Sequence, residues 1–228
     1  MRKRQTLAHN IQALKSAQQC GLSLVGLNII RGIPPETEED VKESCENVKF
    51  LRFLLHSSSI ESTIFMLLKG SPFYKELSEK ERKEWDQDPL WREIAPTHLV
   101  AEEDRFEFFN FYRKTFHNYH VWETFWHLML LYGKQNSSYT WVETPHGSLV
   151  EEKGRKLMIY ELNQTETDIL VFCDTIRSFS EIQKEVSLPE DELRTTLSNL
   201  NDYALLYVDT DSTCISILDA AQKKSTHY

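Results

Sequence analysis

The feature that most restricts the fold is a nearly continuous apolar run, residues 22–30, which ends abruptly in Arg31 and Gly32. Such a run is typical of a strand covered on both faces, as in a parallel sheet. Two prolines follow, and then residues 37–40, Thr-Glu-Glu-Asp, which have the form of a helix capping box with acids in the positive first turn. The sequence therefore predicts a strand, a short stiff turn and a helix in immediate succession.

Residues 7–68 alternate between helical and strand patterns. Residues 7–19 predict a helix that ends at Gly21, and residues 60–68 predict a second strand closed by a Lys-Gly-Ser-Pro turn. Helix–strand–helix–strand order is the unit of a parallel α/β sheet or barrel. Two strands do not make a stable sheet by themselves, so this part is expected to belong to a larger barrel. In such barrels ligands bind in the loops after the strands, which is where Arg31 and Gly32 lie.

Three segments of different character follow one another, and the predicted fold class is α/β. We predict the C-terminal βα units of a partial TIM-like barrel in residues 1–75, a helical, aromatic-rich segment in residues 76–135, and a β-hairpin with a winged-helix-like module in residues 136–228. Residues 102–132 predict one long helix crowded with aromatic side chains. In the last segment we expect strands at 139–143 and 156–162, helices at 165–176, 179–186 and from Pro189 onward, and a hairpin at 205–217.

The composition limits the classes of function. The 228 residues carry a formal net charge of −9, which argues against a general nucleic-acid binder. No apolar run is long enough to cross a bilayer, and no signal-peptide segment follows residues 1–4, so a cytoplasmic protein without a membrane partner is expected. The cysteines are far apart and form no Cys-x-x-Cys pair, which predicts free thiols: Cys20, Cys45, Cys173 and Cys214.

A winged-helix pattern suggests DNA binding, but the charge of this module argues against it. Residues 162–228 contain five basic and twelve acidic residues, a net charge of −7. The helix in the recognition position begins with Glu190, Asp191 and Glu192, which would repel phosphates. The sequence therefore favours a module that docks a protein or peptide.

Histidines on the aromatic-rich helix raise the alternative of a metal site. His120, Glu123 and His127 share one helical face, and His117 lies nearby in the sequence. The spacing is not that of a His-Glu-x-x-His motif, and no second helix offers an obvious fourth ligand. Histidines that hydrogen-bond beside an aromatic stripe explain the same pattern, so we assign no metal ligand.

One stretch of this sequence resembles a known family. The pattern consists of Asn28, Ile30, Gly32, Pro34, Glu36 and Thr37, followed by Glu39 and Asp40, and it resembles the late-barrel motif of radical S-adenosylmethionine enzymes. A helix with the pattern Ala13-Leu14-Lys15-x-Ala17-x-x-Cys20-Gly21-Leu22 precedes it, as in those enzymes. Gly70-Ser71-Pro72-Phe73-Tyr74 resembles the Gly-Ser-Pro-Tyr run of the cobalamin-binding subset.

The nearest likeness is to radical S-adenosylmethionine proteins that mature ribosomally made peptides, whose tails carry a strand pair and a small helical module. The resemblance covers residues 4–74 and, more weakly, 139–218. It implies an enzyme with a 4Fe–4S cluster, held by three thiolates, that reduces S-adenosylmethionine to a 5′-deoxyadenosyl radical. In the cobalamin subset a methyl group is often transferred. Family members often have Gly where this chain has Pro35.

The resemblance also implies roles for residues at the strand end. Backbone groups around Ile30 and Gly32 would lie near the adenosyl part of S-adenosylmethionine, Asn28 and Arg31 would make polar contacts, and Glu36 would brace the loop. The chain contains no Cys-x-x-x-Cys-x-x-Cys motif, and no glycine-rich cobalamin domain precedes the barrel segment. It therefore resembles the C-terminal part of such an enzyme and is expected to be inactive alone. The expected partners are the N-terminal part and a precursor peptide.

The alternative is a non-catalytic interaction protein. In that case the winged-helix-like module and the aromatic-rich helix would bind a protein or peptide partner. This alternative predicts a monodisperse chain that unfolds cooperatively.

Overall fold

The computed structural model describes residues 6–22, 26–34, 36–54, 59–68, 70–87, 97–99, 111–113 and 118–225. These residues form a mixed α/β fold with several small sheets. The helices are α1 (Leu7–Gln19), α2 (Glu38–Asn47), α3 (Pro72–Glu76), α4 (Glu79–Arg82), α5 (Tyr119–Gln135), α6 (Gln164–Phe172), α7 (Phe179–Val186) and α8 (Glu190–Asp202), with 3₁₀ turns at Val48–Leu51, Thr97–Leu99 and Ala220–Gln222. Among the helices in the described ranges, none combines the length and apolar character needed to cross a membrane.

The strands are β1 (Gly26–Arg31), β2 (Ser59–Ile64), β3 (Met66–Leu67), β4 (Trp85–Gln87), β5 (Phe111–Arg113), β6 (Ser138–Thr144), β7 (Gly147–Lys153), β8 (Leu157–Asn163), β9 (Arg177–Ser178), β10 (Leu206–Val208), β11 (Thr213–Ser216) and β12 (Lys223–Lys224). β1 and β2 form a parallel pair. The other sheets have the strand orders β3-β5-β4, β12-β6-β7-β8 and β10-β11-β9, and they are antiparallel except where β12 runs parallel to β6.

The chain divides into two compact units. The first, termed the strand-pair unit, comprises Met1–Arg2, Gly26–Glu43 and Ser59–Thr124. The second, termed the tail unit, comprises Lys3–Val25, Ser44–Ser58 and Phe125–Tyr228.

A small apolar cluster forms part of the strand-pair unit. Leu67 and Trp85 are buried, and the half-buried side chains of Phe65, Phe73, Tyr74 and Leu77 pack against them. The ring centroids of Phe65 and Phe73 lie 5.4 Å apart at an interplanar angle of 83°, the edge-to-face geometry that aromatic pairs prefer. Because Phe73 and Tyr74 lie in the first turn of α3, the start of that helix is anchored to the cluster.

The long aromatic helix predicted for residues 102–132 differs from the structure. Phe111–Arg113 is strand β5, paired on one side with β3 and on the other with β4, and α5 begins only at Tyr119. Aromatic residues at nearly every position fit a strand bonded on both sides better than a helix, since they leave no polar face. Residues 102–110 and 114–117 of the predicted helix lie outside the described residues.

The tail unit is built around the sheet β12-β6-β7-β8. Trp141, in β6, is fully buried and stands opposite Val150 of β7. Its indole N–H donates to Ser148 Oγ at 2.8 Å, and Ser148 shares a hydrogen bond of 2.8 Å with Thr167 at the start of α6. Thr167 donates its own proton to the Asn163 carbonyl, so Ser148 is the donor to Thr167. This chain of hydrogen bonds joins the sheet to α6.

The last three helices of the tail unit begin within one residue of the predicted positions, although α6 ends at Phe172 and not at the predicted residue 176. Asn163 with Glu166, and Ser178 with Glu181, form capping boxes at the starts of α6 and α7. Pro189 precedes the first residue of α8. The predicted apolar stripe of α8, Leu193, Leu197 and Leu200, is buried, and the predicted hairpin is β10 with β11.

Sequence patterns did not predict strand β7. Strands were predicted on both sides of it, but β7 ends in Glu151, Glu152 and Lys153, and such a charged run is usually solvated. Glu152 is nevertheless buried, because Arg52 bonds to both oxygens of its carboxylate. Glu152 can therefore be buried because Arg52, 100 residues away in the sequence, neutralises its charge.

Candidate functional site

The candidate site lies at the carboxyl end of β1. Asn28 stands opposite Glu61 and Arg31 opposite Ile64, so β1 and β2 end at the same edge. The Phe65 N–H donates to the Arg31 carbonyl at 2.8 Å, which extends the pairing by one residue. The predicted site residues lie in the last four positions of β1 (Asn28, Ile30 and Arg31) or in the turn after it (Gly32 and Glu36).

Strand geometry separates these residues into two groups. Side chains alternate along a strand, so Asn28 and Ile30 share one face while Arg31 is directed to the other. Asn28 is exposed, and its Oδ1 accepts a hydrogen bond of 3.0 Å from Thr63 Oγ1. Ile30 and Arg31 are half-buried. Asn28 and Ile30 can therefore contact the same ligand from one face of the strand. Arg31 lies on the other face and would reach that ligand only beyond the end of the strand.

The turn after β1 explains why the strand stops. Gly32 has φ +73°, a left-handed conformation that glycine adopts without strain. The Glu36 N–H then donates to the Ile33 carbonyl at 2.7 Å, closing a turn that contains Pro34. The chain thus turns within a few residues, and α2 begins directly after the turn at Glu38.

Glu36 holds this turn in place. Its carboxylate accepts a 2.7 Å hydrogen bond from the Trp122 indole N–H and another from the Gly32 backbone, and Asn118 donates to its carbonyl at 3.2 Å. Burial raises the pKa of Glu36, an effect that Asp40 reinforces and that the Trp122 and Gly32 donors oppose. Since the carboxylate is occupied by the protein's own donors, its geometry is that of a bracing residue.

The capping box predicted at the start of α2 is confirmed. Thr37 Oγ1 accepts from the Asp40 N–H at 3.2 Å, and Asp40 Oδ2 accepts from the Thr37 N–H at 2.7 Å and from its hydroxyl at 2.8 Å. These donors lower the pKa of Asp40. The loop between β1 and α2 is therefore fixed at both ends, by Glu36 and by the Thr37–Asp40 box.

Two residues of this site were not found from the sequence, namely Trp122 and Asn118. They lie 86 and 82 residues after Glu36, too far for any local pattern to connect them. The sequence does predict that Trp122, if buried, needs a hydrogen-bond acceptor for its indole N–H. That prediction does not identify which acceptor it finds.

Two other family-like segments have structural roles in the fold. Lys15, in the helix that precedes β1, is buried, and its ammonium group donates to the Asp174 carboxylate at 3.0 Å and to the Ser216 carbonyl at 2.8 Å. Burial lowers the pKa of Lys15, and Asp174 partly offsets the effect. Ser71, in the Gly-Ser-Pro segment, caps α3 by accepting from the Tyr74 N–H at 3.1 Å. These contacts assign no ligand to either segment.

The described residues provide no ligand set for a metal or cluster. No group of three His, Cys, Asp or Glu residues in the described ranges is placed to hold an ion. His120 is exposed and lies 3.9 Å from Glu38, while His117 falls outside the described residues. Burial raises the pKa of Cys214 to about 12 and raises that of Cys173 too, so these thiols resist becoming the thiolates that bind iron.

Comparison of the chain with protein-family models, with curated proteins and with solved structures found no match. The geometry alone defines the class of site, which is a braced loop with a polar rim at the carboxyl edge of parallel strands. Edges of this kind are where α/β proteins bind ligands.

Proposed function

We propose that this chain forms the C-terminal βα units of a radical S-adenosylmethionine enzyme, with the carboxyl end of β1 as part of the S-adenosylmethionine pocket. The observation that carries the proposal is the braced loop after β1, which Glu36 holds through Gly32 and Trp122. A loop fixed in this way keeps its backbone groups in position before a ligand arrives, so little ordering is needed on binding. Its place at the end of a parallel strand pair supports a barrel-type site.

The residues at this edge fit part of S-adenosylmethionine. The exposed Asn28 amide can donate a hydrogen bond, Ile30 on the same face can contact the adenine ring, and the backbone near Gly32 can approach closely. When bound, S-adenosylmethionine would supply the deoxyadenosyl group that becomes the radical. The chain's own residues bind and orient it, and Glu36 acts as a positioning residue.

The residues of this chain do not fit the 4Fe–4S cluster. Cys20 is exposed and Cys45 half-buried, while Cys173 and Cys214 are buried. Three clustered thiolates would be required, and the spacing of the four cysteines supplies no such set. The proposal therefore assigns the cluster to an N-terminal partner segment with its own cysteine motif.

The tail unit supports a peptide as the substrate. Helices α6 to α8 and the sheet β10-β11-β9 follow one another in the order expected of a winged-helix-like module. A groove of about 300 Å³ beside α8 is lined by apolar residues that include Phe179 and Val208 and by polar residues that include Arg194 and Ser198. Exposed Glu190, Asp191 and Glu192 lie at the start of the same helix. A groove with both apolar and polar lining residues, beside clustered acids, favours a precursor peptide with apolar and basic residues.

Binding of S-adenosylmethionine to the purified chain tests the pocket. Saturation-transfer NMR at millimolar ligand is expected to show transfer to the adenosine protons. Asn28→Ala should weaken binding about tenfold, the equivalent of one hydrogen bond. Glu39→Ala, at an exposed acid in the first turn of α2, should leave binding unchanged. Absence of transfer, or equal binding by Asn28→Ala and the parent, would contradict the proposed pocket.

The genomic sequence upstream of the codon for Met1 tests the proposed partner. An open reading frame there that encodes a Cys-x-x-x-Cys-x-x-Cys motif, in frame or as a neighbouring gene, is expected. An intact unrelated gene with an ordinary promoter before Met1 would remove the partner that the proposal requires.

The groove beside α8 also supports a second candidate, a non-catalytic protein that binds a peptide. This function needs the tail unit alone and no S-adenosylmethionine. A basic, apolar peptide that binds the chain and loses affinity with Ser198→Lys, at an exposed residue that lines the groove, would favour this candidate over the enzyme if the protein shows no measurable S-adenosylmethionine binding.

A further inference from the structure

Strand β8 is an edge strand of the sheet β12-β6-β7-β8 within the described part of the chain, and it exposes apolar side chains. Three consecutive apolar residues, Leu157, Met158 and Ile159, are 58%, 47% and 55% exposed. Edge strands are usually protected by charges, proline or bulges, because an open edge can pair with another chain. β8 contains no proline, and Glu161 is its one charged residue. It is therefore a candidate interaction surface.

The register with β7 shows which face is open. Glu152 stands opposite Met158 and Val150 opposite Tyr160, and Val150 is fully buried, so the even-numbered residues of β8 belong to the inner face. Leu157, Ile159 and Glu161 belong to the outer face. Half-buried Leu149 and Val142 continue the outer face across β7 and β6, which extends the apolar surface beyond the edge strand.

The inner face holds β8 in an extended conformation. The Tyr160 hydroxyl donates to Glu152 Oε2 at 3.1 Å, and the Tyr160 ring lies 5.6 Å from the ring of Tyr203. Glu152 is fixed in turn by Arg52. Because the strand is held from its inner side, pairing on its outer edge requires little ordering.

We infer that β8 pairs with β8 of a second copy of this chain, antiparallel and about a two-fold axis at Met158. Such an axis places each residue opposite one of the same face, since antiparallel partners point the same way. Leu157 then lies opposite the partner's Ile159. The partner's Glu161 lies beside the turn 154–156, within reach of the long side chain of Arg155. Each pair occurs twice. The charges and apolar side chains of this one short segment are thus complementary to themselves.

Neighbouring registers lose this complementarity. An axis at Ile159 places Leu157 opposite the partner's Glu161, and an axis at Leu157 brings the partner's Ile159 beside the turn that contains Arg155. Both of these registers place a charged side chain next to an apolar one. The register with its axis at Met158 avoids this mismatch. The pattern therefore selects a second copy in one register, and this inference does not rest on the proposed function.

Charge variants test the pairing and its register together. By sedimentation velocity, the parent is expected to dimerise with rising concentration, while Arg155→Glu and Glu161→Arg should each be monomeric because each creates two like-charge pairs. Mixing the two variants should restore a dimer, since every facing pair is then opposite in charge. The double variant Arg155→Glu/Glu161→Arg should dimerise as the parent does.

Two further variants separate this edge from other surfaces. Ile159→Glu should abolish the dimer, whereas Leu22→Glu, at a residue 64% exposed outside the sheet, should not. In a Cys20→Ser background, Met158→Cys should form an interchain disulfide on mild oxidation, because the two copies meet at this residue. Leu157→Cys, which lies off the axis, should not. The inference would be overturned if the parent stayed monomeric at all concentrations. It would also be overturned if the mixture of Arg155→Glu and Glu161→Arg dimerised no better than either variant alone.

Discussion

Arg52 and Glu152 form a buried bidentate ion pair in the tail unit, although 100 residues separate them in the sequence. The Nε–Oε1 distance is 2.9 Å and the Nη2–Oε2 distance is 3.1 Å. Arg52 Nη1 also donates to the carbonyls of Lys49 at 2.9 Å and Ala204 at 2.6 Å. One guanidinium group therefore joins the turn at Val48–Leu51, strand β7 and the end of α8.

Removing one partner of this pair should destabilise the tail unit strongly. Glu152→Gln leaves the Arg52 guanidinium buried without its counter-charge, which lowers the free energy of unfolding by about 3–5 kcal/mol. Urea denaturation measures the change. Glu190→Gln is the matched control, because it removes an ion pair of 2.7 Å with Arg194 whose side chains are both 57% exposed. The control should change stability by less than about 1 kcal/mol, and equal losses in both variants would contradict the argument.

Local chemistry made much of the fold predictable. The Thr37–Asp40 cap, the stripe of α8 and the hairpin of β10 with β11 follow from residues a few positions apart, so short-range patterns contain them. Parallel pairing of β1 with β2 was also expected from the order of the elements. These features place the candidate site at a strand end.

Long-range polar contacts were not predictable in the same way. Glu36 with Trp122, and Arg52 with Glu152, are partners only because the fold brings distant segments together. In sequence a lone charged residue predicts a solvated surface, because only a partner makes its burial favourable. Arg31 differs from these cases, because the alternation of side chains along a strand is a local property that places it on the face opposite Asn28 and Ile30.

The raised pKa of Glu36 predicts a specific pH dependence of stability. Because burial raises the pKa in the folded state, the folded protein holds this proton more tightly than the unfolded chain. The contribution of Glu36 is therefore fully present below the ordinary value of 4.5 and is lost as the pH rises through the raised value. Glu36→Gln lacks this loss, so its stability relative to the parent should increase with pH.

Urea unfolding of Glu36→Gln and the parent over a series of pH values measures this difference. Glu39→Gln is the control for removal of one carboxylate near the same helix start. A stability difference between Glu36→Gln and the parent that stays constant or falls with rising pH would be incompatible with a buried, proton-retaining Glu36.

The cap of α2 should depend on the hydroxyl of Thr37. Thr37→Ala removes the acceptor for the Asp40 N–H, which is worth about 1 kcal/mol at a helix N-cap. Thr37→Ser keeps the hydroxyl oxygen, so its free energy of unfolding should differ from that of the parent by only about a few tenths of a kcal/mol. Hydrogen exchange at the Asp40 amide is the local measurement, and it should accelerate in Thr37→Ala only. Equal exchange in all three proteins would show that this cap does not protect the helix start.

The four cysteines should differ sharply in reactivity, and none should hold a cluster. Cys20 is exposed and should react with a disulfide reagent at once, whereas Cys173 and Cys214 should react only after unfolding, because burial raises the pKa of both thiols. Burial also raises the pKa of Cys45, which should react more slowly than Cys20. Anaerobic treatment with iron and sulfide should therefore leave no cluster absorbance on the chain after desalting, in the parent and in Cys20→Ser alike. A stoichiometric cluster that survives desalting would contradict both the thiol environments and the assignment of the cluster to a separate segment.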